Sequence, residues 1–395
     1  MLGPKYTLFH VLQSYNRKNF PKLTFVMHEE INSAVIDSVT LSGALVKWYR
    51  VNRRDLPWRP AMGTTPRVDP YAVLVSEFML QQTQVETARG YFERFMERWP
   101  TLGDLAEASE QDVLRQWQGL GYYSRARNLL AAVRQIVAEF GGRVPSDITS
   151  LIGLPGIGRY TAGAIASIAF DCAAPILDGN VARVICRLEK IEDDPRHPKI
   201  VKRLWDLAEQ MLPRRNCGEF NSALMELGAT VCTPRQPKCG ICPVKRFCRA
   251  FADGMQEKIP LPRKSREIPT VRRWTICIGS GGRWLLHRRP TSGRWAGLWE
   301  FSTMPAESGS PRIDDISATL GVANLDDLKP LGQIRHGLTH RRYIFDAFRA
   351  VTSARPAIPA AKWIRLRELD RYPLSRPQLR IAQMLRGDLQ KRESQ

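Results

Sequence analysis

The sequence predicts a multidomain protein, an all-α domain followed by a smaller α+β domain. Three observations carry that prediction. At 395 residues the chain has room for two or three domains and ample core. From about residue 37 to 230 it shows repeated helix start and stop signals, but beyond a Pro- and Arg-rich stretch, Ile259 to Thr270, strand signals replace them. Four cysteines, Cys232, Cys239, Cys242 and Cys248, crowd together near the end of the helical part.

In the helical part, Asp69 precedes Pro70 at a first helical position and opens the apolar stretch through Val73, Leu74, Phe78 and Leu80. Ser109 with Asp112 has the spacing of a capping box, and Gly141-Gly142 closes a helix over 124–140. Short helical stretches at 146–151 and 159–170 flank a glycine-rich turn, and further helices are expected at 180–191, 198–212 and 219–230. After the linker, Trp274–Ile278 and Arg283–Arg288 flank Gly279-Ser-Gly-Gly282 and predict a β-hairpin. Gly297–Phe301, Arg342–Phe348 and Lys362–Leu366 are further strand candidates, and 377–389 is expected to be helical. The expected boundaries are a basic N-terminal arm at 1–34, the helical domain at 35–254, a linker at 255–270 and the α+β domain at 271–390.

Charge narrows the function. Lys+Arg exceeds Asp+Glu by 59 to 39, a net +20, which points to a polyanionic partner. Hydrophobic residues at 43% exclude a mainly disordered basic protein. No apolar run approaches the ~18 residues of a membrane span; the nearest, Tyr160–Phe170, has mostly small side chains and predicts a tightly packed core helix. Residues 1–28 contain no Asp or Glu and no clean apolar segment with a cleavage site, so no secretory signal is read there. They form a basic arm, or fall outside the translated protein if Met27 is the start. A folded cytoplasmic protein is expected. Cys172, Cys186, Cys217 and Cys277 are scattered, which argues against a disulfide framework.

Four motifs carry chemistry. Cys232-x6-Cys239-x2-Cys242-x5-Cys248 offers four thiolates to zinc or to an iron–sulfur cluster. Structural zinc sites use two short pairs with a long gap between them, so these uneven gaps favour a 4Fe–4S cluster. Arg235, Lys238, Lys245 and Arg246 lie among the ligands with no acidic residue nearby, as a phosphate-contacting loop needs, although they could simply be solvated. The second motif, Leu151-Ile-Gly-Leu-Pro-Gly-Ile-Gly-Arg-Tyr-Thr161, joins two helices through Gly153, Gly156 and Gly158. Backbone N–H groups there, with the positive end of the following helix, can hold a DNA phosphate.

Glu77 is the third. It shares a helix face with Val73 and Leu74, so its pKa should be raised and it could deliver a proton near neutrality; alternatively it marks the edge of an apolar stripe. The fourth is Asp178, immediately before a helix in Ile176-Leu-Asp-Gly-Asn-Val181, where an ordinary N-cap is the competing reading.

Together these features resemble the endonuclease III-like superfamily of helix-hairpin-helix DNA glycosylases, and within it the adenine DNA glycosylases of the MutY type. The matching stretches are Leu56-Pro-Trp-Arg59, Ser76–Val85, Gly119–Asn128, the hairpin, Leu177-Asp-Gly-Asn-Val181 and the four cysteines. The resemblance spans roughly 40–390. It implies base excision from double-stranded DNA, with adenine opposite 8-oxoguanine or guanine as substrate, the base being flipped out before cleavage. Glu77 would protonate the adenine at N7 and Asp178 would stabilise or capture the oxocarbenium-like sugar. Asn180 would orient Asp178, and Tyr160 would line the sugar pocket. Relatives that also cut the backbone carry a lysine at that position, so Tyr160 implies a monofunctional enzyme.

By the same resemblance Trp58, Arg59 and Glu226 would surround the adenine. Gln82, Thr83, Leu120 and Tyr122 would face the lesion side, Tyr122 as a stacking wedge; plain core packing is the other reading for Trp58 and Leu120. Arg294-Trp-Ala-Gly-Leu-Trp-Glu-Phe301 resembles a Nudix fold, but Ile316–Gly321 lacks the Glu-rich magnesium helix of a hydrolase, so a lesion-reading module is expected. The family's Phe-Ser-His element corresponds here to Leu338, Thr339 and His340. Losing the aromatic face at 338 weakens the expected preference for 8-oxoguanine, and His340 could be a plain surface residue. A monomer, associated with the nucleoid and not with a membrane, is expected. Two alternatives stay open: a glycosylase for another mispaired base, and a non-catalytic DNA damage-binding protein.

Overall fold

A computed structural model describes residues 38–62, 68–262, 267–306 and 309–393. The expected basic arm lies outside them, as does part of the linker. The chain divides into two compact units. One comprises the chain up to Ala106 together with Ala131–Lys264; the other comprises Glu107–Leu130 together with Ser265–Gln395.

The first unit is helical. Its elements are α1 (Ser38–Asn52), α2 (Pro70–Leu80), α3 (Val85–Arg98), α4 (Leu102–Glu107), the C-terminal half of α6 (Ser124–Phe140), α7 (Ile148–Gly153), α8 (Arg159–Phe170), α9 (Gly179–Leu188), α10 (Pro198–Gln210), α11 (Cys217–Thr230) and the short α12 (Arg249–Ala252). The caps explain several boundaries. Asp69 accepts from the Tyr71 N–H at 2.9 Å ahead of Pro70, and Asp147 accepts from the Ser150 N–H at 2.8 Å. Helix α2 is buried on nearly every side from Val73 to Met79, as a helix without a polar face must be. Leu45, Ala164, Leu177, Ile185, Trp205 and Phe220 join α1, α8, α9, α10 and α11 in one core.

Close helix approach depends on missing side chains. A Cβ on Gly163 would lie 2.3 Å from the Pro175 carbonyl oxygen, and one on Gly228 would lie 2.7 Å from the Asn180 Cβ. Both positions hold the segment 175–180 against α8 and α11, which fixes where Asp178 emerges.

The second unit is built on one sheet of β1 (Thr270–Ser280), β2 (Arg283–Arg288), β3 (Trp299–Glu300), β4 (Ser302–Pro305), β5 (Leu325–Leu338), β6 (Arg341–Thr352) and β7 (Ala361–Ile364). Its main path runs β3-β2-β1-β6-β5, with β4 on β1 and β7 on β2; the β1–β6 pair is parallel. The expected hairpin closes through Gly281 and Gly282 at φ +53° and +72°, the backbone a tight hairpin turn requires. Alternation sorts the faces: Trp274, Ile276 and Ile278 meet α13 (Ile313–Leu320), while Cys277, Leu286 and Phe345 meet α14 (Arg376–Glu393). Helix α5 (Glu110–Gln116) also belongs to this unit. Ser109 caps it, accepting from the Asp112 N–H at 3.1 Å, and Gln111 bonds the Gly297 carbonyl and the Trp299 indole at 3.2 and 3.0 Å.

Strand β4 and helix α13 were not assigned from the sequence, and two further elements differ from that reading. The candidate strand 297–301 shrinks to Trp299–Glu300, because Gly297 takes a left-handed turn at φ +73°. Strand β5 was not legible: Pro330, Gly332 and Gly337 interrupt its alternation. It is an edge strand, and its register shifts around Lys329–Gly332 absorb them.

Candidate active site

A cleft of about 890 Å³ opens in the helical unit. Glu77, Tyr160, Asp178, Asn180, Trp58, Arg59, Glu226, Gln82 and Thr83 all line it. The sequence scatters these residues over five separate segments.

Glu77 stands in the middle of α2, 6% exposed. Burial lifts its carboxyl to about 7; the Tyr160 hydroxyl hydrogen-bonded to it and the charge of Arg59 resist the rise, and Asp178 adds to it. Tyr160, buried on the first turn of α8, also brings its hydroxyl to 3.3 Å from Met225 Sδ. Burial against the two carboxylates keeps that phenol protonated.

Asp178 satisfies both of its readings at once. It is the N-cap of α9, with Oδ1 accepting from the Val181 N–H at 2.7 Å, and it lines the cleft. Its Oδ2 accepts from Asn180 Nδ2 at 3.0 Å. Burial raises its carboxyl, while the Val181 N–H, the Asn180 amide and the charge of Arg183 restrain the rise. Sequence reasoning missed Arg183. Its guanidinium donates to Asn180 Oδ1, the Gly228 carbonyl and the Cys232 carbonyl, each at 2.8 Å, tying the Asp178 turn to the start of the cysteine loop. The signal was available: Arg183 lies one helical turn from Asn180, on the same face of α9.

The opposite wall holds Glu226, fully buried. Arg54 Nε reaches Oε1 at 2.7 Å and Arg59 reaches Oε2 at 2.9 Å, and the Arg54 backbone N–H adds a third donor at 3.1 Å. Burial pushes this carboxyl up, but the two guanidiniums win and hold it below its ordinary value. Arg54, the stronger partner, was also missed. Trp58 is half-buried and meets Phe92 edge-on at 5.4 Å, so it packs and lines the cleft together.

In the hairpin, the Ile157 N–H bonds the Leu154 carbonyl at 3.2 Å across Pro155 and Gly156. Gly156, at φ +77°, takes the position that demands a left-handed backbone. Leu151, Leu154 and Ile157 anchor the turn inward while Gly153 and Gly156 face out.

The four cysteines border one small cavity with Arg187 and Gln256. Buried Arg187 sets one nitrogen 3.3 Å from Cys232 Sγ and 2.7 Å from the Thr233 carbonyl. Among the described residues no three Cys, His, Asp or Glu side chains converge as on a single ion. Sulfurs spread around a cavity suit a multi-atom cluster better than one zinc. Arg235, Lys238, Lys245 and Arg246 are all exposed on this loop.

In the other unit, Tyr122 (41% exposed, φ +47°) meets Thr339 in a 2.6 Å hydroxyl–hydroxyl hydrogen bond. Leu120 is buried, Leu338 packs partly against the sheet core, and Thr339-His340 forms the turn between β5 and β6.

The sequence matches known families. Residues 75–210 match the HhH-GPD superfamily of base excision DNA repair proteins, 232–248 the iron-sulfur binding domain of endonuclease III, and 273–384 the NUDIX domain. The cofactor is therefore a 4Fe–4S cluster. A solved thermostable thymine-DNA glycosylase covers 55% of this chain and 97% of its own at 29% identity, with a TM-score of 0.48. The adenine DNA glycosylase of Rattus norvegicus is 38% identical over 387 residues, which is 84% of this chain and 75% of that one. That of Homo sapiens is 36% identical over 410 residues, 89% and 75% of the two chains. Identity at this level across most of both chains makes the protein a member of the adenine DNA glycosylases.

Proposed function

We propose that the protein excises adenine mispaired with 8-oxoguanine or guanine in double-stranded DNA and leaves an abasic site. One observation carries the reading. Two carboxylates, Glu77 with a pKa lifted to about 7 and Asp178 held by an amide and a backbone N–H, line a single cleft. Such a pair can divide acid and anion roles near neutral pH.

The flipped adenine takes a proton at N7 from Glu77, and the bond from C1′ to N9 breaks with its electrons leaving on adenine. Asp178, oriented by Asn180, stabilises or captures the cationic sugar, and water completes the abasic site. Tyr160 lines the sugar pocket. A buried protonated phenol cannot form the Schiff base a lysine would, which supports monofunctional chemistry. Trp58, Arg59 and Glu226 would hold the base.

Gln82, Thr83, Leu120, Tyr122, Leu338, Thr339 and His340 would meet the lesion side, with Leu338 weakening discrimination. Phosphates would rest on Gly153, Gly156 and Gly158 and on Arg235, Lys238, Lys245 and Arg246. Cys232, Cys239, Cys242 and Cys248 would ligate the cluster, whose role when bound is to brace this loop. No described helix is long and apolar enough to cross a membrane. A monomer at the nucleoid is the setting this reading implies.

The test is single-turnover reaction on duplexes carrying A opposite 8-oxoguanine, A opposite G and T opposite G, with and without alkali. Strand breaks mainly after alkali, fastest for A opposite 8-oxoguanine, are expected. Breaks without alkali, or faster release of thymine, would overturn the reading.

A further inference from the structure

The β5–β6 hairpin carries more than its Leu338-Thr339-His340 tip. Alternation puts His336, Leu338, Arg341 and Tyr343 on the sheet face that meets α14, with His336 paired across to Tyr343 and Leu338 to Arg341. Trp295 completes an aromatic group there, its ring 6.2 Å from His336 and 5.3 Å from Tyr343. Two cations join from α14. Arg376 and Arg380, one helical turn apart, both lie beside His336, and Arg380 reaches the Arg335 carbonyl at 3.5 Å.

These cations are not neutralised within the fold. Arg341, Arg376 and Arg380 are exposed. The carboxylates of the neighbourhood are engaged elsewhere, Asp346 by Arg272 and Gln333 and Asp370 by Arg386. Among the described residues no carboxylate forms an ion pair with any of the three. Three uncompensated guanidiniums around half-buried Trp295 and His336 repel one another, at a cost to the isolated domain that a polyanion would relieve. Arginine beside aromatic rings is the surface chemistry that meets a phosphodiester strand, the fork gripping phosphate and the ring taking sugar or base.

We propose that Arg341, Arg376 and Arg380, grouped around His336 and Trp295, form a second DNA grip that holds phosphates of the strand carrying the lesion base. The inference rests on the reading that the adjacent Thr339-His340 tip meets that strand. It assigns to the Nudix-like unit a backbone contact separate from the glycine hairpin and the cysteine loop, and it offers affinity where Leu338 gives up a stacking contact.

The test uses the full holo-protein and a duplex carrying the abasic product opposite 8-oxoguanine. Arg376→Ala/Arg380→Ala should weaken binding about tenfold at moderate salt and flatten the log–log salt slope by about 1.8, since each lost phosphate contact removes about 0.9. A charge-matched control, Arg367→Ala/Lys391→Ala, should leave the slope unchanged. Uncharged methylphosphonate linkages in the lesion strand should erase the difference between wild type and the double variant; the same linkages in the adenine strand should preserve it. An unchanged slope in the double variant, an equal loss in the control, or dependence on the adenine strand would each overturn the proposal. A wild-type protein that releases no adenine would instead overturn the function on which it rests.

Discussion

The cleft has two glutamate walls, and burial acts on them with opposite results. Glu77 and Glu226 are both almost fully removed from water, which by itself disfavours a charged carboxylate. Glu77 meets a phenol and a second carboxylate, with one guanidinium close enough only to moderate the effect, and it titrates near 7. Glu226 receives two guanidiniums at 2.7 and 2.9 Å and is held ionised. Burial sets the stakes and the partner decides the protonation state. One wall therefore keeps a proton to give away, while the other keeps a fixed negative charge.

Removing the proton donor gives the largest expected effect. Glu77→Gln should slow adenine release roughly 10²–10⁴-fold in single-turnover assays while duplex affinity and cluster absorbance persist. Glu226→Gln should lower the rate far less. If the two glutamines cost the same in rate, the division of labour between the walls is wrong. Because Glu77 must be protonated to act, the wild-type rate should fall as pH rises through about 7, and a flat profile to pH 9 would remove Glu77 from the proton path.

Stability should rank the walls the other way. Glu226→Gln strips the charge that balances Arg54 and Arg59, and breaking a buried pair costs about 3–5 kcal/mol. The low end is expected, since Arg54 is one-third exposed. Glu226, held below its ordinary pKa, stabilises the fold above the unfolded value of 4.5, and that contribution is lost as pH falls through the depressed folded value. Chemical denaturation should therefore separate wild type from variant most at pH 7, and the difference should shrink as pH falls below 4.5.

How much of this could be read beforehand differs between the two walls. Glu77 was legible because one apolar helix advertises it: Pro70 starts that helix and Val73–Met79 bury it. Asp178 was legible as a cap and became a cleft residue only through resemblance, since a cap and a catalytic carboxylate share the same local sequence. Arg54 was not legible, because its partner Glu226 is far away in sequence and nothing local predicts it, whereas Arg183 offered a local signal through Asn180 but none for its bond to the Cys232 carbonyl. The same limit hid β5, whose pairing with β6 overrides three unfavourable residues.

Glu77→Gln should also change stability, with the opposite sign. Its folded pKa of about 7 lies above the ordinary carboxyl value of 4.5, so the folded protein holds the proton longer than the unfolded chain does. Stability from this group is fully present below 4.5 and is lost as pH rises to about 7. A shift of that size corresponds to about 3 kcal/mol. The glutamine variant should match wild type at pH 4 and exceed it at pH 8 by up to that amount. A less stable variant at pH 8 would mean that the ionised carboxylate has a partner outside the cleft chemistry described.

Arg59 gives the smallest and sharpest test, because among the described residues it acts on both glutamates. Arg59→Gln removes a moderating charge from Glu77 and one of two guanidiniums from Glu226. The midpoint of the pH–rate profile should move upward, since the protonated form of Glu77 is then opposed less. Glu226 should stay ionised at neutral pH, because Arg54 still supplies a side-chain contact at 2.7 Å and a backbone N–H at 3.1 Å. Profiles of wild type, Arg59→Gln and the Arg59→Gln/Glu226→Gln double variant separate the two routes. If the midpoint moves in Arg59→Gln but returns when Glu226 is also neutral, Arg59 acts on Glu77 by neutralising its neighbour. A shift that persists in the double variant means that it acts directly across the cleft.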